Sequence, residues 1–167
     1  QIEEVDTPAF DGVTYDKTKY TVTVTLEDDG QGHLTPKAEI SDGEDGSIVL
    51  KNELARRDLT ISKTTAGNAD LSDDAFTVKI RLSRNDIVPV DGDYPMDGAA
   101  ETTLTVKNGE ATLTIRDGQT VTIKEIPVGT TYTVEETDER AQGYNIDASA
   151  YTSGGSGRIA TDKEARV

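Results

Sequence analysis

The feature that most constrains the fold of this chain is a period-two alternation of apolar and polar residues that recurs along its length. In residues 20–26 the threonines fall on one side, and the other side holds Tyr20, Val22, Val24 and Leu26. Helical periodicity is almost absent, and a β-branched threonine suits the solvent face of a strand. The chain is therefore predicted to be all-β.

The same pattern predicts a series of short strands separated by turns. Before residue 55 they cover 20–26, 34–40 (its hairpin partner) and 47–54, and after it 59–63, 76–82, 103–106, 111–115, 120–126, 131–136 and 143–147. Residues 85–100, which include two prolines and two glycines, are predicted to form a long exposed loop, and residues 153–157 a flexible one. Short strands at this spacing indicate a sandwich or a barrel.

The predicted strands form two groups that meet near residues 55–57. The first group is thin for an independent sandwich, whereas the second approaches a full immunoglobulin-like set. We therefore expect tandem immunoglobulin-like β-sandwich modules. Residues 1–55 are expected to be the C-terminal part of one incomplete module, and residues 56–167 a second module that lacks its last strand.

The composition excludes several classes of function. The chain has 17 Lys and Arg against 32 Asp and Glu, which gives a net charge of −15 without any basic run. Binding to nucleic acid or to an anionic membrane needs clustered cations, so neither is expected. No apolar run approaches the roughly 20 residues that span a bilayer, and the first residues do not follow a signal-peptide pattern.

No catalytic or metal-binding motif is recognisable. Cysteine is absent, which excludes a disulfide framework and a thiol nucleophile. His33, the single histidine, lies in a predicted hairpin turn and cannot serve a hydrolase triad from there. The acidic turns at residues 28–32 and 42–46 lack the spacing of calcium loops. Neither a cofactor nor a metal is expected.

Two regions resemble the pilins and surface adhesins of Gram-positive bacteria. Residues 12–30 resemble the second half of an isopeptide-bonded pilin module. Four later features resemble the CnaB-type stalk domain. They are Leu-x-Ile-x-Lys at 59–63, Phe76, Pro-Val-Gly-Thr-Thr-Tyr-Thr-Val-Glu-Glu at 127–136 and Gly-Tyr at 143–144. This resemblance implies that each module closes a covalent bond between a lysine on its first strand and an asparagine on its last.

The chemistry implied by the resemblance needs a buried acid between the two partners. Burial disfavours the charged forms, so the lysine can attack as a neutral amine and the protonated acid can polarise the asparagine amide. Holding the groups together supplies a high effective concentration, and ammonia leaves. Because each module reacts once, the protein is not expected to be an enzyme.

In the second module the resemblance assigns Lys63 as the nucleophile and Glu136 as the buried acid. A lone lysine on a strand usually faces solvent, but alternation places Lys63 on the same side as Leu59 and Ile61. Alternation likewise favours Glu136 over Glu135. The asparagine is expected on a closing strand outside this sequence, and a peptide that supplies this strand is expected to couple to Lys63.

In the first module the resemblance assigns Asn52 as the isopeptide acceptor and Glu4 as the buried acid. Its lysine is expected upstream of Gln1. The implied function is a structural stalk segment of a pilin or adhesin, anchored to the cell wall on the outside of a Gram-positive bacterium. The expected partners are other modules of the same chain or pilus, with a host surface ligand as a further possibility.

An alternative interpretation is a ligand-binding adhesin module. In that case the loop at residues 85–100 would contact a host protein or glycan through exposed apolar groups at Tyr94, Pro95 and Met96.

Overall fold

A computed structural model describes residues 1–5, 10–41, 43, 45–66, 74–137 and 155–167 of the chain. It contains strands and turns, and no helix occurs among these residues, which confirms the all-β prediction. The chain divides into two compact units, Gln1–Leu54 (unit 1) and Ala55–Val167 (unit 2).

Unit 1 contains two antiparallel strand pairs. Strand β1 (Val13–Thr14) pairs with β4 (Glu53–Leu54), and β2 (Thr21–Asp28) pairs with β3 (Leu34–Ser41). The predicted hairpin at residues 20–40 is therefore confirmed. The prediction of a strand over 47–54 is wrong for most of that range, because the Lys51 N–H donates to the Asp16 carboxylate instead of a ladder carbonyl.

The ribbon formed by β2 and β3 has one apolar face, as the alternation predicts. Val22 lies opposite Ile40 and Val24 opposite Ala38. Much of this face is exposed, with 61% of Val24 and 62% of Leu26 accessible. Among the described residues of unit 1, Tyr20 alone is a buried apolar side chain, and its hydroxyl donates to the Val49 carbonyl at 2.9 Å.

Unit 2 consists of two sheets. One has the order β14-β5-β11-β8-β9, formed by β5 (Arg56–Ser62), β8 (Gly92–Asp97), β9 (Thr103–Val106), β11 (Thr120–Pro127) and β14 (Ala165–Arg166). The other has the order β10-β6-β12-β13, with β7 also paired to β6, and is formed by β6 (Ala75–Arg84), β7 (Val88–Pro89), β10 (Glu110–Arg116), β12 (Thr130–Glu136) and β13 (Ser156–Arg158).

Inward-facing residues of both sheets share one apolar core, which is the arrangement of a β-sandwich. Leu59 and Ile123 come from one sheet and Phe76 and Ile80 from the other, and none is more than 1% exposed. The pairings in both sheets are antiparallel except that of β14, which runs parallel to β5.

The prediction of an exposed loop at residues 85–100 is wrong. Half of that segment is strand, and Tyr94 and Met96 are 4% and 6% exposed members of the core. Pro95 points outward, and the Met96 N–H donates to the Thr102 carbonyl at 2.8 Å. The strand therefore forms with its period-two spacing despite the glycines and prolines of this segment. The premise of a ligand-contacting loop with an exposed Tyr94 and Met96 therefore fails.

Two further predictions concern the C-terminal part of the chain. Ser156 and Gly157 belong to β13, which pairs with β12, so the prediction of a flexible segment over 153–157 is wrong at these two positions. The predicted strand at 143–147 lies outside the described residues.

Candidate functional site

In unit 2 the two sheets bring Lys63 and Glu136 together. Lys63 follows β5 directly and Glu136 ends β12, so each side chain comes from a different sheet. The Lys63 Nζ lies 3.2 Å from both carboxylate oxygens of Glu136. The side chains are 16% and 13% exposed respectively, so the pair is largely shielded from water.

Alternation along the strands explains why these two side chains face inward. Lys63 continues the face of Leu59 and Ile61, which are 0% and 3% exposed. Glu136 continues the face of the buried Tyr132 and Val134. By contrast, the side chain of Glu135 is 64% exposed.

Phe76 closes one side of the pair. The Lys63 Nζ lies 4.3 Å from the centroid of the Phe76 ring, and Phe76 itself is 1% exposed. An ammonium over an aromatic face at this distance is attracted by the ring quadrupole. The amine is thus held between a carboxylate and an aromatic ring. These two groups restrict the direction from which the amine can approach a third group.

In unit 1 the structure brings Asn52 and Glu4 together across 48 residues of sequence. The Asn52 Nδ2 donates to Glu4 Oε1 at 2.7 Å. Reciprocal backbone bonds between Ile2 and Tyr20, at 2.8 and 2.9 Å, hold the segment that carries Glu4. The second carboxylate oxygen of Glu4 is buried and has no hydrogen-bond partner among the described residues.

Asp16 is a part of this site that sequence reasoning missed. Its backbone N–H donates to Asn52 Oδ1 at 3.0 Å, and its carboxylate accepts the N–H groups of Lys51 and Thr18, each at 2.9 Å. The Thr18 side chain, as the largest contributor, and the backbone N–H groups of Lys51 and Thr18 lower the pKa of Asp16 to about 2 by hydrogen bonding to its carboxylate. The Asp-x-Thr spacing is a turn signal, but the contact to residues 51 and 52 has no local signature.

All four residues predicted from the resemblance are described, and they form two contacting pairs, Lys63–Glu136 and Glu4–Asn52. Their chemical roles stay predictions. Within the described ranges, no group of three or more His, Asp or Glu residues is arranged to hold a metal ion, and no helix is long and apolar enough to cross a membrane.

Both parts of the chain match family models. Residues 57–167 match the model described as a domain of unknown function, DUF7601. Residues 1–55 match the model described as a Spy0128-like isopeptide containing domain.

Similar proteins are found among streptococcal pili. The chain is 35% identical over 79 residues to the pilus tip adhesin Cpa of Streptococcus pyogenes, an alignment that covers 47% of this chain and 11% of the adhesin. It is 26% identical over 155 residues to a pilin of Streptococcus pyogenes serotype M1, covering 83% of this chain and 44% of that pilin. The chain therefore spans less than half the length of each of these relatives.

A solved structure supports the fold. The major pilin from Streptococcus pyogenes superposes with a TM-score of 0.60 and 21% identity, over 98% of this chain and 65% of the pilin chain. At this identity the likeness concerns the fold alone.

Proposed function

Since the chain belongs to the DUF7601 family through residues 57–167 and matches the Spy0128-like isopeptide containing domain at residues 1–55, we propose that it is a structural segment of a Gram-positive pilin or adhesin stalk. In this proposal intramolecular Lys–Asn isopeptide bonds stiffen its modules. The observation that carries the proposal is the shielded Lys63–Glu136 pair, whose atoms lie 3.2 Å apart between two sheets.

The register of β14 supports the expected position of the asparagine. Ala165 lies opposite Leu59 and Arg166 opposite Thr60 in the parallel pairing with β5, and the Ser62 N–H donates to the Val167 carbonyl at 3.0 Å. If a strand continues in this register, its second residue after Val167 lies level with Lys63. That residue shares the inward face of the buried Ala165, because side chains alternate along a strand.

The proposed reaction is an aminolysis without any external reagent. The neutral Lys63 Nζ attacks the side-chain carbonyl carbon of the asparagine, a new C–N bond forms, and the original C–N bond breaks to release ammonia. The Lys63 ammonium first gives a proton to the Glu136 carboxylate, 3.2 Å away, which makes the amine neutral and the acid protonated. After the attack Glu136 gives its proton to the leaving nitrogen and takes up the one that the new amide nitrogen loses.

The bond gives the stalk a mechanical and a thermodynamic advantage. It ties β5 covalently to the strand beside it, so a pulling force on these strands bypasses the hydrogen-bonded core. Closing a loop of about a hundred residues also restricts the unfolded chain, by about 5 kcal/mol in the chain-entropy model. We place this segment at the cell-wall-anchored surface, with other modules of the same chain or pilus as its partners.

The experiment is to extend the chain beyond Val167 by a short strand with asparagine at its second position. We expect the intact mass under denaturing conditions to fall short of the sequence mass by one ammonia. Lys63→Ala in the same extended chain is expected to show the full sequence mass, because the nucleophile is gone.

The matched control moves the asparagine by one residue. With asparagine at the first position after Val167, the side chain points to the opposite face and no ammonia loss is expected. A full sequence mass for the second-position variant, in protein shown to be folded, would refute the proposed bond at Lys63.

A further inference from the structure

The Asn52 amide in unit 1 is held from both ends. Its carbonyl oxygen accepts the backbone N–H of Asp16 at 3.0 Å, and its Nδ2 donates to Glu4 Oε1 at 2.7 Å. A backbone N–H is only a donor, so the group facing it must be the acceptor end of the amide. This fixes the orientation of Asn52: its oxygen faces Asp16 and its nitrogen faces Glu4.

In this orientation Glu4 is not placed for the task that the resemblance gave to the buried acid, which is to polarise the asparagine amide. A carboxyl that polarises the amide would lie against its oxygen, whereas Glu4 lies against the nitrogen, which is the atom that leaves as ammonia. The group positioned at the oxygen is the Asp16 N–H. In an aminolysis, negative charge develops on that oxygen when the amine adds to the carbonyl carbon.

The Asp16 side chain holds its own N–H in place. One carboxylate oxygen accepts the Thr18 N–H and the other accepts the Lys51 N–H, each at 2.9 Å. Thr18 lies two residues after Asp16, and Lys51 immediately precedes Asn52. The carboxylate therefore ties the donor segment to the acceptor residue. This contact continues the pairing of β1 with β4, in which Thr14 lies opposite Glu53.

We propose that Asp16 stabilises the transition state of isopeptide formation at Asn52. This inference rests on the proposed function. The backbone N–H binds the oxyanion that forms on Asn52 Oδ1 as the lysine nitrogen adds. The tetrahedral intermediate then collapses, the bond to Nδ2 breaks, and Glu4 passes to that nitrogen the proton it received from the lysine. The Asp16 carboxylate is the positioning group that keeps donor and acceptor aligned.

The decisive variant replaces residue 16 by its α-hydroxy acid, which converts the backbone N–H into an ester oxygen and keeps the carboxylate. The test uses this chain preceded by the lysine-bearing first strand that the proposed function assigns to unit 1, made by cell-free synthesis and sampled at timed intervals. The fraction of Asn52 that has lost ammonia is read by mass spectrometry. Removing an oxyanion donor is expected to slow bond formation by about 10²-fold.

Side-chain variants separate positioning from folding. Asp16→Ala keeps the N–H but releases Lys51 and Thr18, and is expected to slow the reaction by roughly tenfold to 10²-fold. Asp16→Asn retains one acceptor oxygen and is expected to recover part of that loss. Asp28→Ala is the matched control, because Asp28 also accepts a backbone N–H, that of Gly30, in an exposed turn of the same unit; its rate is expected to equal that of the unaltered protein.

The outcomes are distinguishable. An ester variant that reacts at the unaltered rate would overturn the role of Asp16 and leave the proposed function intact. An unaltered protein that forms no bond at Asn52 would overturn the proposed function of unit 1 and this inference with it.

A measurement on the 167-residue chain tests the contact directly, even where the ester variant does not fold. Asn52→Ala is expected to accelerate hydrogen exchange of the Asp16 amide by about tenfold or more, while Asn52→Asp, which retains an acceptor oxygen, keeps it slow. Equal exchange in Asn52→Ala and the unaltered chain would refute the hydrogen bond on which the inference rests.

Discussion

At the residue scale, the Lys63–Glu136 pair combines a close contact with little exposure to water. Two charges taken out of water lose hydration, and their mutual attraction offsets that loss only while both are present. Removing one partner leaves the other shielded from water and without its partner of opposite charge at 3.2 Å. The stability of unit 2 should therefore depend on the two side chains jointly.

We expect Lys63→Met and Glu136→Leu each to lower the free energy of unfolding by about 2–3 kcal/mol, and the double variant to lose less than the sum of the two. The measurement is urea unfolding of the four chains. Lys79→Met is the control, because Lys79 lies 3.2 Å from Glu110 in a pair that is 35% and 48% exposed. It should cost less than about 1 kcal/mol. Additive single losses would contradict the shielded-pair interpretation.

Asp16 gives unit 1 a defined acid sensitivity. The hydrogen bonds from Thr18 and Lys51 lower its pKa from 3.8 to about 2, so the folded state binds this proton less readily than the unfolded state. The resulting stabilisation is complete above the unfolded pKa and is lost as the pH falls from about 4 to 2. The Asp16–Lys51 contact should weaken over the same range.

The corresponding measurement is an NMR titration of the Asp16 carboxyl carbon, which is expected to give a pKa of about 2. The Asp16→Asn variant should lack this part of the acid-induced change in unit 1. A carboxyl that titrates near the ordinary value of about 3.9 would show that the Thr18 and Lys51 bonds are not maintained in solution.

At the element scale, β8 is the strand that decides what residues 85–100 can do. Tyr94 and Met96 alternate inward between β9 and β11, and the pairing with both neighbours makes β8 an interior strand. The segment therefore contributes to the core of the sandwich, and these two side chains are not available to an external ligand.

Truncating Met96 should reveal its burial. We expect Met96→Ala to lower the free energy of unfolding by about 2–4 kcal/mol, because it removes a 6% exposed side chain and leaves a cavity. Pro95→Ala, at the neighbouring outward-facing position, should change it by about 1 kcal/mol or less. Denaturant unfolding of both variants decides the matter, and equal small effects would restore the exposed-loop interpretation.

At the scale of the whole molecule, the two units differ in how much apolar surface they bury. Unit 2 contains a core drawn from both of its sheets, whereas the β2–β3 ribbon of unit 1 leaves Val24 and Leu26 about as exposed as polar residues. An isolated two-stranded ribbon is marginally stable in water. Local opening should therefore cost much less in unit 1.

Native-state hydrogen exchange of the full 167-residue chain checks this difference. Backbone amides of β6 and β12, which are interior strands of their sheet, are expected to exchange at least about 10²-fold more slowly than those of β2 and β3. Comparable protection in the ribbon would mean that its apolar face is covered in solution.

The alternation in the sequence by itself determined most of the strands and the direction of their side chains, although not the strand at Gly92–Asp97. Successive side chains of a strand point to opposite faces, so Leu59, Ile61 and Lys63 had to share one side wherever that strand was placed. The same local geometry selected Glu136 over Glu135 as the inward-facing carboxylate. The all-β class followed from the same source.

The tertiary structure decided which of these inward-facing groups meet. Lys63 and Glu136 are 73 residues apart and belong to different sheets, and Asp16 reaches Asn52 across 36 residues. The burial of Tyr94 and Met96 likewise depends on β9 and β11 flanking their strand. Contacts of this kind arise from the pairing and packing of distant strands, whereas alternation is a property of neighbouring residues, and this is why the sequence could orient the side chains without specifying their partners.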